Sequence, residues 1–158
     1  MRIAIITVSD SVSRGTREDL SGAALRKRCE ALGWQVAASE ILADDQNSIR
    51  DRLIKICDFG DVDVILTTGG TGLGPRDVTP EATTAAATRI VPGLGERMRE
   101  VGGRGFSRAY LSRAIAAVRA STLIVNLPGS PKGAVESLDA VSELLPHAVE
   151  VLRGARHD

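Results

Sequence analysis

Aromatic side chains are almost missing from this chain: one Trp, one Tyr and two Phe in 158 residues. Without an array of rings there is no platform on which single-stranded bases could stack. An excess of one charge is missing too, because 20 acidic and 20 basic residues cancel to a formal net of zero. A balanced chain lacks the broad basic footprint of a nucleic-acid or membrane-surface binder, so neither partner is expected. No apolar run approaches the roughly 20 residues that a membrane-spanning helix needs. The N-terminus enters a strand-like run, Ile3 to Val8, with no charged-then-apolar leader, and the expected compartment is the cytoplasm. Cysteine is scarce: Cys29 and Cys57 form no C-x-x-C pair, lie on the apolar sides of predicted helices, and read as reduced core thiols. His147 and His157 stand in no motif and support neither a triad nor a zinc site. With 43% hydrophobic residues, the expectation is one soluble globular domain over 1–158 that binds small polar ligands.

Apolar runs rich in β-branched residues occur at Ile3 to Val8, Val36 to Leu42, Val62 to Leu66, Ala114 to Val118 and Leu123 to Leu127. Helical stripes lie among them: Leu25, Cys29 and Leu32; Ile49, Leu53 and Ile56; Leu94, Met98 and Val101; Leu138, Val141 and Leu145, the last broken by Pro146. Strands alternating with helices imply right-handed βαβ units and a parallel sheet covered on both faces. Only Arg119-Ala120-Ser121-Thr122 separates the last two strands, too little for a crossover helix, so that pair is expected to be a hairpin. The predicted fold is a three-layer α/β/α sandwich whose mostly parallel central sheet carries an antiparallel edge. Gly102-Gly103-Arg104-Gly105 is expected to be an adjustable loop.

In such a sheet the carboxyl ends of the strands share one edge, and ligands bind there. The richest loop on that edge is Thr67-Thr68-Gly69-Gly70-Thr71-Gly72-Leu73-Gly74-Pro75-Arg76-Asp77-Val78-Thr79-Pro80-Glu81. Its glycines leave backbone N–H groups open to a phosphate, and Thr79-Pro80 reads as an N-cap with proline at the first helical position. Pro75-Arg76 occupies the place of the Lys-Ser/Thr of a P-loop, and the third glycine of a dinucleotide fingerprint is absent, so both motifs fail. Asp77 inside an anion cradle would repel the ligand unless a cation, most simply Mg²⁺, lay between them. Asp44, after the second strand, is the second candidate ligand for that Mg²⁺. Asp45 is a weaker candidate that could instead belong to a helix start, and Asp10 could order its own loop or bind a ligand. Pro128-Gly129-Ser130-Pro131 repeats the turn, cap and proline pattern, which reads either as capping alone or as a second anion contact, and Lys132 in the first turn favours the latter. The arginines from Arg97 to Arg119 outnumber nearby acids and read as a solvated face, part of which could receive a phosphate or a neighbouring subunit.

These segments resemble the molybdopterin adenylyltransferases, a family that includes the bacterial Mog-type proteins and the N-terminal domain of gephyrin. The resemblance runs through Thr7 to Ser11, Glu18 to Gly22, Thr67 to Thr83, Leu111 to Arg113, Asn126 to Ser130 and Leu145 to Ala148. It implies a homotrimer that binds molybdopterin and Mg-ATP and makes adenylyl-molybdopterin and pyrophosphate, with possible transfer of product to a downstream molybdate-insertion protein. It maps the essential acids onto Asp44 and Asp77 as Mg²⁺ ligands, and the ATP phosphate cradle onto Gly69, Gly70, Thr71 and Gly72. Pro128, Gly129, Ser130 and Lys132 would contact a bound phosphate, while Thr7, Ser9, Asp10, Ser21 and Gly22 would complete the nucleotide or pterin pocket. Relatives of the MoaB type share these motifs and leave a second reading open, that of a non-catalytic molybdopterin-binding protein. Longer molybdate-insertion chains and nicotinamide-nucleotide hydrolases carry related modules beside further domains, and a chain of this length is expected to stand apart from both.

Overall fold

A computed structural model describes residues 1–154; His157 and the end of the expected 1–158 domain lie outside the described residues. The sheet has six strands, β1 (Arg2–Val8), β2 (Gln35–Leu42), β3 (Val64–Thr68), β4 (Arg89–Ile90), β5 (Ala116–Arg119) and β6 (Thr122–Leu127), in the order β2-β1-β3-β6-β5-β4. The first four in that order are parallel, and β5 and β4 complete an antiparallel edge. The helices are α1 (Asp10–Ser13), α2 (Leu20–Ala31), α3 (Gln46–Phe59), α4 (Thr79–Ala86), α5 (Pro92–Gly105), α6 (Pro131–Val141) and α7 (Leu145–Leu152), with a 3₁₀ turn at Ser107–Leu111. Among the described residues no helix is long and apolar enough to cross a membrane.

Alternation along the strands builds the three layers. Ile3, Ile5, Val64, Leu66, Leu123 and Val125 point to one face, where they meet α2, α5, α6 and α7 through Leu25, Met98, Leu138 and Leu145. Ala4, Ile6, Ile65 and Ile124 point to the other, against Ile49 and Leu53 of α3 and Ala82 of α4. Strands buried on both faces read as continuous apolar runs for this reason. The edge strand β2 is only half-buried, and its register slips between Ile3 and Ala4, passing over Ala37. The bulge lets Val36 join the first core and Ala38 and Leu42 the second. Cys29 and Cys57 are free, buried thiols, one in each core, and burial pushes both up to about 11.

Several expectations need correcting. Gly102 to Gly105 form no loop but the last turn of α5. The 3₁₀ turn folds back onto that helix, and a Cβ at Gly103 would collide with the Tyr110 ring, so Gly103, with Gly102 beside Ala109, allows close packing. The stripe Leu138, Val141 and Leu145 spans two helices, with Pro146 opening α7 rather than breaking one long helix. The third strand begins two residues late and runs to Thr68, so its threonines are sheet residues. The fifth starts at Ala116, and the two-residue β4 beside it was not anticipated, being too short to show a period. The hairpin is present, with Arg119 paired to Thr122.

A buried polar knot crosses this core. Asn126 Nδ2 donates to Thr67 Oγ1 at 3.0 Å and to Thr83 Oγ1 at 2.9 Å, joining β6, β3 and α4, and all three residues are fully buried. Buried hydroxyls without partners are costly, so these bonds specify how α4 sits on the sheet. Asn126→Leu is expected to lower the unfolding free energy by about 2 to 4 kcal/mol in urea denaturation. A loss below about 0.5 kcal/mol would show that the knot contributes nothing to the fold.

Candidate active site

From β1 the chain turns to β2 on one side, and from β3 it turns toward the opposite edge, so the strand order reverses between β1 and β3. A crevice opens at the carboxyl ends of strands at such a point. Here it is a cavity of about 580 Å³. Thr7 and Ser9 enter it from the end of β1, Asp44 from the end of β2, Gly69, Gly70 and Asp77 from the loop after β3, and Gly129 and Ser130 from the turn after β6.

The starts of two helices reach this cavity. Asp19 caps α2 by accepting from Gly22 N at 2.9 Å and from Thr7 Oγ1 at 2.8 Å, which ties the helix to the tip of β1 and brings Ser21 to the cavity wall. Ser130 caps α6 by accepting from Gly133 N at 3.1 Å. Contrary to the expectation of a run of open glycine amides, Gly69 N is bonded to Leu127 O and Gly74 N to Asp77, so the converging helix N-termini and the Gly70 N–H are what favour an anion here.

The acidic side of the cavity is a ladder. Asp10 N donates to Asp44 Oδ2 at 2.8 Å, and Asp44 N donates to Asp10 Oδ1 at 3.0 Å. Arg76 grips Asp10 from outside at 3.1 and 3.2 Å, and that guanidinium, together with the Asp44 N–H, holds the Asp10 carboxyl below its ordinary value. Asp44 behaves oppositely: burial pushes its carboxyl up, the Asp10 N–H opposes this, and the charges of Asp10 and then Asp77 add to the rise. Asp44 and Asp77 both present carboxylate oxygens to this cavity.

The loop after β3 is held from several sides. Thr79 is the first residue of α4 and not its N-cap: Val78 holds the cap position without a side-chain bond, and the fully buried Thr79 hydroxyl donates to Gly69 O at 2.9 Å. Thr79 N donates to Gly70 O at 3.0 Å. Asp77 Oδ2 accepts from Gly74 N at 2.8 Å, folding the carboxylate over its own loop.

The candidates from sequence separate into groups. Thr7, Ser9, Asp10, Ser21, Gly22, Asp44, Gly69, Gly70 and Asp77 gather at or directly behind this cavity. Thr71, Gly72 and Pro128 line an adjoining cavity of about 570 Å³, walled on its far side by Leu73, Phe106 and Leu111; Gly70, Asp77, Gly129 and Ser130 border both. Lys132 reaches neither, and its Nζ instead lies 3.8 Å from Glu136 along α6. Asp45 caps α3 by accepting from Ser48 N at 2.8 Å. Sequence reasoning did not single out Asp19, Arg76 or Arg113; the Asp19-x-x-Gly22 spacing of an N-cap was the one local signal, while the other two show themselves only through contacts. Much of the basic stretch is engaged internally, Arg99 with Ala114 O at 2.7 Å and Arg119 with Asp58 at 2.9 Å, for example.

Residues 4–147 match the family described as "Probable molybdopterin binding domain". The chain belongs to that family. It is 40% identical over 156 residues to a molybdopterin adenylyltransferase of Helicobacter pylori strain J99, covering 98% of this chain and 89% of the relative. It is 33% identical over 174 aligned residues to the molybdopterin adenylyltransferase of Escherichia coli K12, covering 98% and 86%. The crystal structure of the molybdopterin biosynthesis enzyme MoaB from Thermus thermophilus superposes with a TM-score of 0.92 at 49% identity, covering 99% of each chain. The three-layer fold and mixed sheet are thus those of the family's known members.

Two glycines of the family's loop differ in what they tolerate. Gly69 has φ +102 and a Cβ there would overlap the Val8 carbonyl oxygen, whereas a Cβ at Gly72 would meet only the Asp77 carboxylate, at 2.8 Å. Gly69→Ala is expected to cost about 2 to 4 kcal/mol of stability and Gly72→Ala less than about 1 kcal/mol, read by urea denaturation. Equal losses would mean that Gly69 is not pinned by the strand beside it.

Proposed function

We propose that this protein adenylylates molybdopterin: a phosphate oxygen of the pterin attacks the α-phosphorus of ATP, and the bond to the β-phosphate breaks to release pyrophosphate. A phosphate nucleophile is already ionised near neutral pH, so the site needs no strong general base. The observation that carries this reading is one cavity that combines the Gly70 N–H, two helix N-termini and the carboxylates of Asp44 and Asp77. Positioning and charge neutralisation are the demands of phosphoryl transfer.

The donor set fits Mg²⁺. Asp44 and Asp77 offer oxygen ligands only, and no group of three or more metal-binding side chains exists among the described residues. Mg²⁺ commonly takes one or two carboxylates and fills its shell with water and phosphate oxygens. When bound it would supply neutralisation of phosphate charge. Asp44, held by the Asp10 N–H, and Asp77, held by Gly74 N, would be its protein ligands. Gly69, Gly70 and the turn at Gly129 and Ser130 would bind and orient the phosphates, with Thr71 and Gly72 continuing the wall toward the second cavity. The apolar side of that cavity, Leu73 with Leu111, suits a flat heterocycle, so the two cavities accommodate the two ends of a joined product. A homotrimer in the cytoplasm, with a molybdate-insertion protein downstream, completes the reading implied by the resemblance.

Incubation with molybdopterin, ATP and Mg²⁺ is expected to release pyrophosphate. Asp44→Asn and Asp77→Asn should each lower the rate by about 100- to 1,000-fold. Full activity in Asp77→Asn would remove it from the site, and absence of turnover in the wild type with pterin binding intact would favour a binding protein.

A further inference from the structure

The charged fork of Arg113 spans the functional loop without touching either cavity. Nε donates to Gly72 O at 2.8 Å and Nη2 donates to Asp77 O at 2.8 Å, so one rigid guanidinium bridges the two ends of the Gly72–Asp77 segment. Arg113 N donates to Thr71 O at 2.9 Å, adding a backbone tie just before that segment. Nη1 pairs with Glu81 in the first turn of α4, which fixes the orientation of the fork and leaves Glu81 ionised below its ordinary range. Loop residues between the bridged ends, Leu73 to Arg76, are exposed and have no core packing to hold them.

We infer that Arg113 is a positioning residue that sets the span of the Gly72–Asp77 loop and so keeps the Asp77 carboxylate in the cavity it shares with Asp44. This rests on the assignment of Asp77 as a cation ligand. Gly69 and Gly70, the part of the phosphate cradle that lines the cavity with Asp44, do not depend on the same clamp: they are tied to Thr79 and Leu127 instead. Loss of the fork therefore loosens the cation end of the loop and spares the anion end. Lysine is no replacement, because a single ammonium cannot reach both carbonyls while facing Glu81.

Mn²⁺ titration of the full chain, followed by the electron paramagnetic resonance signal of the free ion, reads the cation site without requiring turnover. Arg113→Ala is expected to weaken Mn²⁺ binding about 10-fold, as outer partners of metal ligands commonly do. Arg113→Lys, which retains the charge opposite Glu81 and serves if the alanine variant fails to fold, should lose a similar factor. The double variant Arg113→Ala/Asp77→Asn should bind no more weakly than Asp77→Asn alone, since the arginine acts through that carboxylate. ATP binding in the presence of a chelator should stay within about twofold of wild type, a separation that general loosening of the fold would not produce. Wild-type Mn²⁺ affinity in both Arg113 variants, or a further loss in the double variant, overturns the inference. Wild-type affinity in Asp77→Asn overturns the ligand assignment and the inference with it. Expected Mn²⁺ behaviour without pyrophosphate release would refute adenylylation and leave the positioning role of Arg113 supported.

Discussion

The close approach of the Gly69 backbone to the Val8 carbonyl, at the ends of two neighbouring parallel strands, is the constraint on which the site depends. The chain leaves β3 at a positive φ immediately beside the tip of β1, with no room for a side chain between them. Gly69 N is bonded to Leu127 O on the other side, so three strand ends are drawn together within one turn. From that junction the loop can run back across the crevice, where its N–H groups and Asp77 face the groups carried by β1 and β2. A bulkier residue would push the loop away from β1 and open the cavity.

Charge is managed across the same few ångströms by different means on each side. The anion-attracting wall is built from backbone, helix starts and glycine amides, which carry partial charge without desolvating an ion. Opposite it, Asp10 and Asp44 satisfy each other's backbone N–H groups while Arg76 faces outward onto Asp10. That arrangement leaves Asp44 as the uncompensated carboxylate, with its charge penalised by burial and by its acidic neighbours.

Much of the fold was legible along the chain because a doubly covered parallel sheet leaves strong local marks. Ile3 to Val8 and Leu123 to Leu127 are apolar on both faces and could hardly be anything but central strands. The errors fell where packing across the chain outweighed local chemistry. Gly102 to Gly105 look flexible in isolation, yet they complete α5, where Ala109 packs close to Gly102 and Tyr110 close to Gly103. Thr79 has the chemistry of a cap, but full burial beneath the loop redirects its hydroxyl to Gly69 O. Lys132 sits in the first turn of α6, where the spacing made it a phosphate contact, while its side chain runs along the helix to Glu136.

Most element types, the three layers and the exclusion of the two commoner phosphate motifs are written in the chain itself, because these depend on residue type and on spacing within one segment. Family membership follows from the same order of residues. That Asp19 braces Thr7, that Asp10 supports Asp44 and that Arg113 clamps the loop of Asp77 emerges from the folded chain alone. Each of these joins residues from different segments of the chain, 41 positions apart for Arg113 and Gly72. Hydrogen bonds are directional and short, so their partners are set by where the backbone returns in space, and no local pattern records that.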